Sequence, residues 1–258
     1  MSWTNQELQS HLRAAKILDQ IKNQSFEFIR KNPATTEYAV QKFIRHLFKE
    51  NNLRLAEHSP IVAFGKNTSF IHYFLSKKTS QKLLARRSFS KGGKPNSPIL
   101  IDLWSRFNKH ETPFADITWM GFYGRKIPNE FQKIYDLVIK SRDACLEYLK
   151  TELKKGKIPT GAKLDDVARN VIKKAGYERN FTHSTGHSLG FVSPHGKGEG
   201  LSFRNSTPLE INLGYTIEPG IYLKNKFGAR SEINFYINSK FEVVVTSKIQ
   251  NKLVLIKP

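Results

Sequence analysis

An α+β fold in two similar halves is predicted by three features of this chain. A helix–helix–strands order occurs twice along its 258 residues. In each half a proline and a threonine open the shorter helix, Thr35 and Thr160 standing at matching points 125 residues apart. Each half then closes in short apolar segments, too short and too β-branched for helices. A repeated unit of this kind suggests an internally duplicated single domain with its site between the halves.

The elements follow in order. Gln6 to Lys31 reads as an amphipathic helix whose stripe is Leu8, Leu12, Ala15, Ile17, Leu18, Ile21 and Phe28. Glu37 to Asn51 forms a second helix, with Ala39, Val40, Phe43, Ile44 and Leu47 on its apolar face. Strand-like segments follow at Pro60-Ile-Val-Ala-Phe and Pro98-Ile-Leu-Ile-Asp-Leu, with Ser88 to Ser97 as a loop or hairpin tip between them. Asn129 to Lys155 is a long helix, Pro159-Thr-Gly opens another from Leu164 to Ala175, and strands resume after His183. One domain over 1–258 is expected, with halves at 5–126 and 127–255 and no separate amino-terminal domain.

Composition narrows the function. No run of eighteen apolar residues occurs, so no membrane span is expected. Met1-Ser-Trp-Thr-Asn-Gln-Glu-Leu lacks the basic-then-apolar layout of a signal peptide. The single Cys145, in a helix, cannot form an intramolecular disulfide, which fits a reducing, cytoplasmic location. Against this ordinary background the charge stands out: 42 Lys and Arg against 22 Asp and Glu, a net +20. Between Glu57 and Asp102 there is no acid, while Lys66, Lys77, Lys78, Lys82, Arg86, Arg87, Lys91 and Lys94 fall there. Such a run can bind nucleic acid, but no zinc finger, RRM signature or recognition helix accompanies it. Weak, salt-labile nucleic-acid retention is the expectation.

The chemistry lies in five residues ordered Asp…Asp…His…Glu…Glu. Asp102 sits in IDLWSRF, Asp116 in FADIT, His187 in HSTGHSLG, Glu218 in YTIEPGIY and Glu232 in GARSEINF. Taken singly, a carboxylate is most often a solvated charge and a histidine structural. Here Asp102, Glu218 and Glu232 fall in apolar strand segments, where an unpaired carboxylate is costly. Four hard oxygen donors and one imidazole suit two divalent ions of the Mn²⁺, Co²⁺, Fe²⁺ or Zn²⁺ type. Two such ions about 3.5–4 Å apart can hold and acidify a water, which is hydrolase chemistry.

With those motifs in place, the chain from about Thr36 onward resembles the pita-bread metallopeptidases: methionine aminopeptidase, aminopeptidase P and prolidase. His183-Ser-Thr-Gly-His187, Thr216-Ile-Glu-Pro-Gly-Ile-Tyr and Gly228-Ala-Arg-Ser-Glu resemble the aminopeptidase P and prolidase branch most. The resemblance implies a curved antiparallel sheet with helices on its convex side and a dinuclear site on the concave face. It implies that Asp102 chelates one ion, that Asp116 and Glu232 bridge both, and that His187 and Glu218 bind the other. Manganese is the favoured metal. The resemblance also implies pocket histidines at His72, His183 and His195, with Arg230 orienting the crowded carboxylates. His11, His46, His58 and His110 match nothing and are expected at the surface or in loops.

Departures from the pattern are visible. Asp102 and Asp116 stand 14 residues apart, with Lys109-His-Glu-Thr-Pro inserted between them. Asp116 is followed by Thr118-Trp-Met, and His195 by Gly196-Lys-Gly-Glu-Gly. The expected activity is hydrolysis of the amino-terminal bond of short peptides, favouring Xaa-Pro, by a hydroxide held between the ions. Glu218 would shuttle a proton, and His183 or His195 would stabilise the oxyanion. A monomer is expected. Methionine aminopeptidase activity is the first rival; a non-catalytic module binding protein or nucleic acid is the second.

Overall fold

The computed structural model describes residues 2–56, 58–74, 96–109, 112–198 and 200–257. Four long helices are among them. Helix α1 spans Asn5–Lys31 and opens on a reciprocal cap: the Thr4 hydroxyl accepts the Glu7 N–H at 3.3 Å, and the Glu7 carboxylate accepts the Thr4 N–H at 2.6 Å. Helix α2 spans Glu37–Glu50, α3 Asn129–Lys154 and α4 Gly161–Lys174. Thr36 and Thr160 cap α2 and α4, each hydroxyl accepting an N–H at 3.2 Å. The residue matching Thr160 is therefore Thr36 and not Thr35, and its cap starts α4 at Gly161, ahead of Leu164.

The first sheet runs β1 (Ile61–Phe64), β2 (Ser97–Ser105), β3 (Ala115–Tyr123) and β9 (Val254–Ile256), in that spatial order. Its pairings are antiparallel except β3 with β9, which is parallel. Strand alternation sorts the residues of β2 and β3 cleanly. Ile99, Ile101, Leu103, Ala115 and Ile117 pack against α1 and α2 in one core. Asp102, Trp104, Asp116 and Thr118 share the opposite face, with Asp102 across from Thr118 and Trp104 across from Asp116. One face holds the helices and the other carries the acids.

In the second half, β4 (Gly214–Ile217) pairs with β7 (Ile233–Ile237), which pairs with β8 (Val243–Val245), while β5 (Gly220–Leu223) pairs with β6 (Phe227–Arg230). Two strands are thus each broken at the same level. The ladder stops at Ile217 opposite Ile233 and restarts at Gly220 opposite Arg230. Glu218-Pro219 lies in one gap and Ser231-Glu232 in the other. Pro219 has no N–H to give the ladder, which accounts for the interruption. Glu232 therefore sits at a strand break and not within a strand, contrary to its alternating context. Strands resume after His183 as expected, beginning with β4, and the described residues between 183 and 213 contribute only isolated bridges.

One further expectation changes. His11 is not a surface residue: it is fully buried, its ring nitrogens 2.9 Å from the Phe114 carbonyl and 2.7 Å from the Thr246 hydroxyl. Burial pushes its pKa down to about 4. Cys145 is buried in α3. Most of the basic run, from Lys77 to Lys94, and His110 lie outside the described residues. Among those described, no helix is long and apolar enough to cross a membrane.

Candidate metal centre

The five metal-ligand candidates meet in one cavity of about 520 Å³, whose lining includes Asp102, Asp116, His187, Glu218 and Glu232. Asp102 and Asp116 come from adjacent strands on the helix-free face, and the two glutamates come from the paired breaks. His187 arrives on a segment that runs beside β4. Its carbonyl accepts the Thr216 N–H at 2.9 Å, and its own N–H donates to the Thr216 hydroxyl at 3.0 Å. Gly186 makes that approach possible. A Cβ there would lie 2.0 Å from the Thr216 carbonyl oxygen. Gly186→Ala is expected to destabilise the fold by at least about 2 kcal/mol, read as a lower denaturation midpoint at unchanged slope.

Three ligand atoms, one each from Asp116, His187 and Glu232, lie within 4.8 Å of one another, and among the described residues no other His, Cys, Asp or Glu trio does so. His187 Nε2 stands 3.3 Å from Glu218 Oε1 and 3.7 Å from Asp116 Oδ2. Its Nδ1 lies 2.9 Å from the Ser188 carbonyl, which fixes the proton on Nδ1 and leaves the Nε2 lone pair facing the acids. Asp102 is paired with Arg230 instead. Arg230 also donates to the Thr118 hydroxyl at 3.0 Å, and Thr118 in turn donates to Glu232 Oε2 at 2.9 Å. Asn234 holds both backbone groups of Asp116, and Thr216 donates to Glu218 at 3.1 Å.

Four carboxylates here share one guanidinium. Burial, and then repulsion from Glu232, Asp102 and Glu218, holds Asp116 far above the usual carboxylate range. Glu232 is raised likewise by burial, Glu218 and Asp102. Burial lifts Asp102 to about 6 despite Arg230, and it raises Glu218 too. His187 is pushed down to about 4 by burial, so its imidazole is neutral. Glu232 Oε1 is buried without a hydrogen-bond partner. Such an orphaned oxygen, in a group of repelling acids beside an imidazole lone pair, fits divalent cations that restore neutrality.

The pocket histidines divide. His72 and His195 line the cavity, the His195 ring centroid 4.1 Å from that of His187. Both have lowered pKa values, His72 through burial and Arg230, His195 through burial and His187. His183 does not line it. Its Nδ1 donates to the Ser184 carbonyl, its Nε2 accepts from the Tyr222 hydroxyl at 2.9 Å, and it borders a neighbouring depression with Arg169 and Phe203. Tyr222 in turn meets Arg230 at 3.4 Å. His58 is exposed in a turn, as expected, and also lines the acidic cavity, stacking on Phe74 with ring centroids 4.5 Å apart. Sequence reasoning missed it, and its local context carries no signal. Thr118, Thr216 and Asn234 were also missed, although each stands two residues along the chain from one of the acids.

A sequence model of metallopeptidase family M24 matches residues 9–239. The Xaa-Pro dipeptidase of Pyrococcus furiosus is 28% identical over 230 residues, 89% of this chain and 58% of that protein. The X-Pro aminopeptidase of Thermotoga maritima superposes with a TM-score of 0.82 at 25% identity, covering 99% of this chain and 65% of the other. An X-prolyl aminopeptidase of Caenorhabditis elegans, described as cytosolic with a di-nuclear active site, superposes with a TM-score of 0.69 at 21% identity, over 98% of this chain and 41% of its own. The chain thus spans less than two thirds of the length of these relatives. Their fold and this one are the same pita-bread fold. With a family model running through nearly all of the elements that build the acidic cavity, the chain belongs to metallopeptidase family M24.

Proposed function

We propose that this protein is a divalent-metal-dependent peptidase that cleaves the amino-terminal bond of short peptides, with proline after the scissile bond. The observation that carries the reading is the convergence of three buried carboxylates, the half-buried Glu218 and a neutral imidazole on one open cavity. Kinship with an Xaa-Pro dipeptidase and an X-Pro aminopeptidase supports proline as the residue after the bond. Asp102, Asp116, His187, Glu218 and Glu232 would hold the ions, with manganese favoured. When bound, such ions supply Lewis acidity and an acidified water.

The chain's own residues do the rest. Glu218, half-buried and raised in pKa, is suited to take a proton from the attacking water and deliver it to the departing nitrogen. His195 and His72 face the cavity as neutral rings whose N–H groups can donate to the developing oxyanion. His183 acts one residue removed, by fixing Tyr222 against Arg230. The two threonine-capped helix pairs support a duplicated single domain. Any nucleic-acid binding by the net +20 charge would be salt-labile and without effect on hydrolysis.

Purified protein should carry two divalent ions per chain and hydrolyse Xaa-Pro dipeptides when Mn²⁺ or Co²⁺ is added. Bound metal without turnover of any Xaa-Pro peptide would sink the activity. His195→Ala and His72→Ala are expected to lower kcat/KM by about 10²–10⁴-fold with metal content retained. His183→Ala should cost less, since its ring does not border the cavity. Steady-state kinetics with elemental analysis checks all three.

A further inference from the structure

Two buried charges on the helices reach the strand break from behind. Arg142 of α3 is completely buried. Its guanidinium donates to the Ser231 hydroxyl and the Gln250 carbonyl, both at 2.7 Å. Gln250 then pairs with both backbone groups of Met120 in β3, at 2.8 and 2.6 Å. One side chain therefore ties the residue before Glu232 to the strand that carries Asp116. The charge is met on α3 itself, where Asp143 accepts from Arg142 Nε at 2.8 Å.

The other gap has a counterpart of opposite sign. Asp165 of α4 is 1% exposed and accepts the N–H and hydroxyl of Thr185 at 3.0 and 2.7 Å. The Thr185 carbonyl accepts the Glu218 N–H at 2.7 Å. Arg169 pairs with Asp165 at 3.1 and 3.0 Å and donates onward to the Phe181 and His183 carbonyls.

An interrupted ladder must find partners for its backbone elsewhere, and neutral side chains are sufficient for that. Burying a full charge for the purpose is costly, but charge-assisted bonds are shorter and hold an angle more firmly. Glu218 and Glu232 lie in the paired gaps, where the ladder that would set their separation is interrupted. We infer that Arg142 and Asp165 are positioning residues that set the separation of Glu218 and Glu232 from behind, so that the pair meets a cation already in place. The inference rests on the metal-ligand reading above. Neither residue touches the ions.

The test measures Mn²⁺ affinity by calorimetry alongside thermal unfolding of the metal-free protein. Ser231→Ala removes the hydroxyl that Arg142 holds and changes little else. It should weaken Mn²⁺ binding about 10-fold or more, on top of any loss of metal-free stability from the guanidinium N–H left without its partner. Arg142→Lys should weaken binding similarly. Asp165→Asn keeps one oxygen acceptor for Thr185 and should fall between variant and parent. A purely structural role would lower the metal-free melting temperature and leave Mn²⁺ affinity at the parental value. That result in Ser231→Ala, which folds even if the arginine variant does not, overturns the inference. Failure of the parent itself to bind Mn²⁺ overturns the ligand assignment as well.

Discussion

The Glu232→Ala variant is expected to retain fewer than two divalent ions per chain and to lose on the order of 10³-fold in kcat/KM. Glu232 is 3% exposed, with one oxygen held by Thr118 and the other unpartnered. No other acid of the cavity can replace it, because Asp102, Asp116 and Glu218 are each already in the proposed ligand set. The effect on stability should depend on the metal. In the presence of EDTA the variant lacks one of four repelling charges and should unfold at a higher temperature than the parent. With Mn²⁺ present the order reverses. Elemental analysis showing two ions retained in the variant would remove Glu232 from the ligand set.

Stripping the metal should cost more stability at high pH than at low pH. Asp102 moves from an ordinary 3.8 to about 6 in the folded protein, and Asp116 and Glu232 are raised as well. A carboxyl whose folded pKa exceeds its unfolded value contributes stability that is complete below the unfolded value. That contribution disappears as pH climbs through the folded one. For Asp102 the window runs from about pH 4 to pH 6, and the other acids act in the same direction. His11, His183 and His187, pushed down by burial to about 4, 3 and 4, work in the opposite sense below pH 6.5, so the quantity to read is the rise in melting temperature that Mn²⁺ gives, which should be larger at pH 8 than at pH 5. An Mn²⁺ effect that does not change with pH would mean that the acids are not packed together as described.

Much of this was legible in the residues, for reasons of period and punctuation. The helices declared themselves through apolar stripes and threonine caps, and β1 and β2 through short apolar runs after a proline. The four acids and the imidazole declared themselves because a carboxylate inside an apolar segment needs a reason. What failed was information that only tertiary contact supplies. His11 looks like a solvated helical residue until Phe114 and Thr246 close over it. Glu232 alternates as a strand residue should, yet the break is imposed from across the sheet by Pro219. His183 has a motif but no geometry until Tyr222 claims its free nitrogen. His58 reaches the cavity through a loop in which it has a φ of 63°, a conformation no local pattern announces.

The parallel partner of β3 has a bearing on how the molecule is made. Val254, Leu255 and Ile256 lie beside Gly121, Phe122 and Tyr123. A ribosome delivers β1, β2 and β3 long before it delivers β9. Throughout that interval the outer rim of β3, whose strand also bears Asp116, offers bare amide and carbonyl groups to any passing extended chain. The first half therefore cannot finish its own sheet, and it waits on the last residues described here. Nascent chains halted before Val254 are expected to need chaperone protection or to associate through this rim. Supplying the closing strand as a separate peptide should shield it.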